Sequence, residues 1–300
     1  MALWQSVEDL SGDYQLEART YGVKLKALEG SEPTEGVAYT YWAAGRLFEL
    51  QGKYAEAEPL YERCQAIDEK ALGPEHPSVA TTLNNRAGLL ESQGKDAEAE
   101  PLYERATEIW ETALGSDHRT VATALNNRAA LLSKQGKYDE AMPLYARAIV
   151  IGEKVLGPEH PDLAVWINNM AGLLRAQGQY AEAAPLFKRS LAIDEVFFGP
   201  DHPKVDTDLK NLAPMLESQG KYSEAAPLYR RAAAINEAVL GPEHPRVATD
   251  LYNRASLSES QGKYAEAGPL YERCQATKEK VLGPEHPSLA SSLNNWAALL

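Results

Sequence analysis

Between His76 and Gly94 the chain reads HPSVATTLNNRAGLLESQG, and Leu83, Ala87 and Leu90 stand at i, i+4 and i+7, the spacing of one apolar helix face. The next stretch, KDAEAEPLYERATEIWETALG, continues with Ala99, Tyr103, Ala106 and Trp110 at the same spacing. Two amphipathic helices are predicted. Each stops at a glycine, which supplies the positive φ that a helix C-terminus favours.

The pair is repeated along the whole chain. Gln-Gly recurs at 51, 93, 135, 177, 219 and 261, always 42 residues apart. A second marker keeps the same step at Leu72-Gly73, Leu114-Gly115, Leu156-Gly157, Phe198-Gly199, Leu240-Gly241 and Leu282-Gly283. Two glycine stops per period mean two helices, A and B, per copy. A Pro-Glu-His-Pro loop at Pro74–Pro77, repeated from 158, 242 and 284, stiffens the turn and starts the next A helix. Helix B carries a proline in every copy, at 59, 101, 143, 185, 227 and 269, near the first turn, so a mild bend is expected. Pro214 stands mid-way along the fifth A helix and is expected to kink that helix alone.

Composition narrows the function. The 300 residues are 44% hydrophobic and 24% charged, enough to bury a core and too apolar for a disordered chain. Forty-three acidic against 30 basic side chains leave a net charge of -13, which repels phosphate backbones and anionic headgroups, so nucleic acid and membrane are not expected partners. No uncharged run reaches the roughly 18 apolar residues of a membrane helix. With only Cys64 and Cys274, no glycosylation sequon and no basic-then-apolar start, a cytoplasmic location is expected.

The strings LNNRA, QGKYAEAEPLYER and LGPEHP, in six copies that agree in phase, resemble the tetratricopeptide repeat in its long-helix form, as in kinesin light chains. The resemblance covers residues 34–300. It implies an all-α fold, an α-α superhelix of antiparallel helix pairs, with residues 1–33 as a degenerate capping helix. A seventh A helix ends at Leu300 without a partner; Trp296, Leu299 and Leu300 would then leave apolar surface uncovered, and end-to-end self-association is expected.

Residues that could carry chemistry point away from catalysis. All six histidines, at 76, 118, 160, 202, 244 and 286, occupy one loop position, and copies in a stack cannot converge on one metal ion. They read as loop residues hydrogen-bonded near the start of helix A. The cysteines stand where other copies place Ala106, Ala148, Ser190 and Ala232, so they read as buried, inert thiols. The segment Gly88–Lys95 has the wrong spacing and follows a helix, so it is no phosphate loop. No catalytic residue, metal site or cofactor is expected, and the chain reads as a non-enzyme.

In a repeat, positions that never change are explained by stacking, and variable exposed positions are free to specify a ligand. Asn85, Asn127, Asn169, Asn211, Asn253 and Asn295 are invariant; both bracing between helices and gripping a peptide account for them. One residue earlier stand Asn84, Asn126, Asn168, Lys210, Tyr252 and Asn294. The resemblance implies that A helices line a groove in which such asparagines hold an extended peptide by its backbone. A carboxamide both donates and accepts, so its grip is indifferent to sequence. The same groove phase adds Tyr39, Trp42, Arg46 and Glu49, then Lys134, Arg175 and Glu259. Lys134, Arg175 and Lys210 would form a basic diagonal, so an acidic peptide is expected. Arg86, Arg128 and Arg254 stand where relatives carry apolar residues, with guanidinium groups expected at the groove rim.

The resulting expectation is an adaptor that binds a peptide or protein segment. The alternative is the ligand-sensing region of a larger NB-ARC-type signalling ATPase.

Overall fold

The computed structural model describes Tyr21, residues 24–28 and residues 30–283. Most of the expected cap, and Asn294, Asn295, Trp296, Leu299 and Leu300 with the expected self-association surface, lie outside the described residues.

Among the described residues twelve long helices follow one another and no strand is present. The A helices are α1 (Glu35–Leu50), α3 (Pro77–Ser92), α5 (Arg119–Lys134), α7 (Pro161–Ala176), α9 (Pro203–Ser218) and α11 (Pro245–Ser260). The B helices are α2 (Tyr54–Leu72), α4 (Asp96–Leu114), α6 (Tyr138–Leu156), α8 (Tyr180–Phe198), α10 (Tyr222–Leu240) and α12 (Tyr264–Leu282). Contacts divide the chain into two compact units, residues 1–151 and 152–300. In the first, each helix from α1 to α5 packs on the next. In the second, the same holds from α7 to α12.

The starts of the A helices explain the invariant histidine. His76, His118, His160, His202 and His244 are N-caps, each accepting at Nδ1 the backbone N–H two residues on, at 3.1–3.2 Å. That bond satisfies an amide the helix itself leaves without a partner. At the other end the chain reverses through Gly52 or Gly94, whose φ of 70° and 76° suits glycine alone without strain. Pro214 does not shorten its helix: α9 spans 16 residues, as α1 does.

Within a helix pair the core sets small residues around one large ring. Ala57, Tyr61 and Leu89 form one such cluster, and Ala87, Leu90, Ala99, Tyr103 and Leu131 the next. Alanine at 87, 129, 171, 213 and 255 is fully buried, which lets the A and B backbones approach closely enough for the B-helix ring to wedge between them. Burying a ring of this size is worth roughly 2 kcal/mol, so each copy is stable only against its neighbours.

Polar contacts fix the spacing of successive copies. Gln93 Nε2 donates to Tyr54 O (3.4 Å) and Glu58 (3.2 Å), Gln135 Nε2 to Asp96 O (3.3 Å), and Gln219 Nε2 to Tyr180 O (3.1 Å). The invariant glutamine thus ties the end of one A helix to the start of the preceding B helix. A second ladder joins B helices: Arg105 to Glu69 (3.1 Å), Arg147 to Glu111 (2.6 Å), Arg189 to Glu153 (2.7 Å) and Arg273 to Glu237 (2.6 Å), with Arg231 on Glu195 in the same place. These pairs are partly exposed and worth at most about 1 kcal/mol each.

Candidate functional site

The A helices present their middle turns as the face on which the paired asparagines stand. Asn127 Nδ2 donates to Asn84 Oδ1 at 3.2 Å, and Asn211 Nδ2 to Asn168 Oδ1 at 3.0 Å. The second asparagine of one A helix therefore braces the first asparagine of the A helix before it. Asn126 is buried, at 6% exposure, and its carboxamide donates to Asn127 Oδ1 at 3.4 Å; it is not open to a ligand as expected. Asn84, Asn85, Asn168, Asn169, Asn211 and Asn253 are half-buried. Behind Asn85 and Asn253 stand Trp42 and Lys210, side chains without an acceptor, so the brace has no counterpart there.

The ends of the described array carry aromatic side chains at the first asparagine position. Trp42 stacks on Tyr39 with ring centres 5.8 Å apart, and Tyr252 meets Tyr271 edge-on at 5.7 Å. Arg46 pairs with Glu49 at 2.9 Å, and Glu49 also accepts the Tyr61 hydroxyl at 2.6 Å. Burial and then that carboxylate push the Tyr61 phenol above its ordinary value.

The basic diagonal requires correction. Lys134 Nζ lies 2.8 Å from Asp96 and 3.2 Å from Glu91 O. Lys210 Nζ lies between Asp250 at 2.8 Å and Asp206 at 3.1 Å. Arg175 covers the Phe187 ring at 5.8 Å. Two of the three cations are already neutralised, because the copies that acquired a lysine also place a carboxylate within its reach. The arginine series is corrected too. Arg86 reaches Glu62 and Gln65, and Arg128 reaches Glu104 at 2.7 Å, so these guanidinium groups turn to the B helices, away from a groove rim.

Both cysteines are buried free thiols. Burial pushes Cys64 up to about 12, and it lies 3.3 Å from Thr82 and 3.6 Å from Asp68; such a thiol is a poor nucleophile. Among the described residues no group of three or more His, Cys, Asp or Glu is placed to hold a metal ion, and no helix is long and apolar enough to cross a membrane.

Two recesses open on the A-helix face, one in each unit. The first, about 240 Å³, lies between α1, α2 and α3, with Tyr39 and Trp42 as walls and Cys64, Asp68 and Thr82 beneath. The second, about 220 Å³, lies between α7, α8 and α9 over Ser190, Asp194 and Asp208. Cys64, Asp68 and Thr82 are the same repeat positions as Ser190, Asp194 and Asp208, three periods earlier. Asp208 is pushed up to about 7, first by burial and then by the charge of Asp194. Asp194 is also raised, chiefly by burial. Sequence reasoning missed this pair. The available signal was a polar residue at 194 and 208 where other copies carry Trp110 and Trp166.

Helix pairs, period and capping define the class, and comparison with known proteins names it. The tetratricopeptide repeat model matches residues 36–112, 120–195, 162–238 and 209–267, and a second model of the same description matches 248–288. The chain belongs to the tetratricopeptide repeat family, with repeats of the kinesin-light-chain kind. Among solved structures it is similar to the kinesin-light-chain-type protein of nearly identical TPR-like repeats from Podosopora anserina, at 27% identity over 67% of this chain and 94% of that one, TM-score 0.59. It shares its fold with BtubC (BKLC) of P. vanneervenii, at 19% identity over 79% and 93%, TM-score 0.67. The pilus biogenesis factor PilW has the same fold, at 18% identity over 87% and 100%, TM-score 0.65. No curated protein matches the chain.

Proposed function

We propose that the chain is a non-enzymatic interaction scaffold whose A-helix face binds an extended peptide or protein segment. The observation that carries this reading is a division of labour among positions. The side chains repeated in every copy, His76 and Gln93 with their equivalents, are consumed in capping and spacing, whereas the A face varies between copies and opens into recesses at two of them. Repeat arrays present extended surfaces of this kind to their partners. The half-buried carboxamides of Asn85 and Asn253 supply backbone donors and acceptors that no neighbouring asparagine claims. An acidic preference draws no support from Lys134 and Lys210, since an acidic ligand would have to displace Asp96, Asp206 and Asp250. The reading as a sensor region of a larger ATPase would use the same face, and the domains encoded beside this array decide between the two.

A peptide array probed with the purified chain tests the proposal. Saturable binding of a subset of decapeptides, weakened by the paired substitution Asn85→Ala and Asn253→Ala, is expected. Failure to bind any peptide, or binding indifferent to those substitutions, would remove the reading.

A further inference from the structure

The recess between α7, α8 and α9 ends on two buried carboxyl groups. Asp194 and Asp208 are 5% and 4% exposed, and they face each other closely enough to share a proton. Ser190 Oγ donates to Asp208 Oδ1 at 3.0 Å, and apart from the proton that the two carboxyls share, Asp194 Oδ1 and Asp208 Oδ2 are buried with no donor from any other residue. Buried carboxylate oxygens without donors of their own are costly, and the residues that carry them line an open cavity whose walls also include Val165, Asn168, Lys204 and Thr207. The cation nearby is Lys204 at the start of α9, whose Nζ lies over the Phe198 ring, 5.2 Å from its centre, and acts on the pair through charge, while His202 caps the helix.

The other copies show what this position does when it is not open. In the second repeat Trp110 stands at the place of Asp194 and is buried. In the third, Trp166 replaces Asp208 and lies over Gly152, where an added Cβ would come within 2.5 Å of its ring. In the fifth, Asn236 and Asp250 hold the two positions, and the chain's own Lys210, at the place of Asn168, extends its ammonium to Asp250 at 2.8 Å. Asn236 Nδ2 donates to Asp250 at 2.6 Å and to Asp206 at 3.2 Å. One copy of the recess is thus filled by a lysine from within. The fourth has the carboxyl groups and the space, and its own lining lysine, Lys204, lies over the Phe198 ring with no ion pair to either carboxyl.

We infer that the recess of the fourth repeat is a specificity pocket for the basic side chain, a lysine, of a segment lying on the A-helix face, seated between Asp194 and Asp208 as Lys210 is seated on Asp250. The inference rests on the interaction reading above and gives its ligand a charge. An ammonium brings three donors to the two carboxyl groups and the rim. Its entry displaces the proton that the carboxyl pair shares, which passes to solvent, so binding strengthens as pH rises through neutrality.

The test uses the whole chain and two probes. The first is a decapeptide library randomised except for a fixed central lysine, norleucine or glutamate. The fixed-lysine pool should be captured at least five-fold better than the norleucine pool, and the preference should vanish in the Asp194→Asn, Asp208→Asn double variant, whose fold is verified by circular dichroism. The second is n-butylammonium chloride, followed by the carboxyl carbon resonances of Asp194 and Asp208, which should shift saturably and more strongly at pH 8 than at pH 6. Peptide capture without a lysine preference, or with one that survives the double variant, overturns the inference and leaves the interaction reading standing. No capture of any peptide together with a saturable carboxyl response overturns the interaction reading and keeps the cation pocket. A silent carboxyl response overturns the pocket in either case.

Discussion

The Arg175 guanidinium lies 5.8 Å from the centre of the Phe187 ring, at the two positions where four other repeats join a glutamate to a tyrosine hydroxyl. Those bonds are Tyr61 to Glu49 at 2.6 Å, Tyr103 to Glu91 at 3.3 Å, Tyr229 to Glu217 at 2.8 Å and Tyr271 to Glu259 at 2.7 Å. The fourth repeat changed both partners together: the hydroxyl is gone where its acceptor is gone, and a cation covers the ring instead.

A double-mutant cycle measures this exchange. Arg175→Glu alone places a carboxylate beside a ring with nothing to donate and should destabilise the chain. Adding Phe187→Tyr restores the bond of the other repeats, with a coupling energy of about 0.5 to 1.5 kcal/mol. Urea unfolding of the four proteins gives the number, and strictly additive effects would show that the two positions do not act as a pair.

Gly152 is glycine for a packing reason. An ideal Cβ there would fall 2.5 Å from Trp166 Cζ3 and 3.3 Å from Leu163, and Trp166 is only 3% exposed, so the ring has nowhere to retreat. Gly152→Ala should cost about 1 to 3 kcal/mol as overpacking, although alanine is the better helix former. Trp166→Thr opens a cavity and is costly by itself, but in that background the further penalty of Gly152→Ala should largely disappear. A thermal melt of Gly152→Ala equal to the parent would contradict the packing account.

The asparagine braces separate structural from ligand-facing copies of one invariant residue. Asn127→Ala leaves Asn84 Oδ1 without the donor now at 3.2 Å and should cost about 1 kcal/mol of stability. Asn85→Ala removes no such brace and should change stability by less than about 0.5 kcal/mol. Equal losses at the two sites, measured by chemical denaturation, would mean that Asn85 braces by another route.

How far the sequence could be read follows from what repetition reports. The 42-residue step, the helix faces of Leu83, Ala87 and Leu90, and the loop role of His76 are local, and the spacing exposes them. An invariant Gln93 announces that something needs it; it does not announce Tyr54 O, 39 residues away on the preceding B helix. The same distance hid Asp96 from Lys134 and Asp250 from Lys210, whereas Asp206, one helical turn before Lys210, stood at a spacing that the sequence exposes. Asp194 and Asp208 lie on different helices, so their pairing emerges only when α8 and α9 are packed together.

The carboxyl pair also makes a prediction about pH. Burial first, and then the charge of Asp194, raise Asp208 from an ordinary 3.8 up to about 7 in the folded chain. Folding therefore takes up a proton between these values, and the sign is fixed: this contribution to stability is complete below about pH 4 and is lost as pH rises through about 7. Glu100, held low by the hydrogen bond from Lys137, and Glu58, held low against its burial by Lys95 and Gln93, act in the opposite sense and lose their contribution in acid. The parent curve is a sum of these effects, so the informative quantity is its difference from Asp208→Asn. The variant keeps a donor toward Asp194 and carries no charge to bury. At pH 8 it should be more stable than the parent by about 1 to 3 kcal/mol, with the gap closing as pH falls below about 7. Urea midpoints measured at half-unit steps from pH 5 to pH 8.5 decide the matter, and a gap that stays constant across that range would show that Asp208 does not take up a proton on folding.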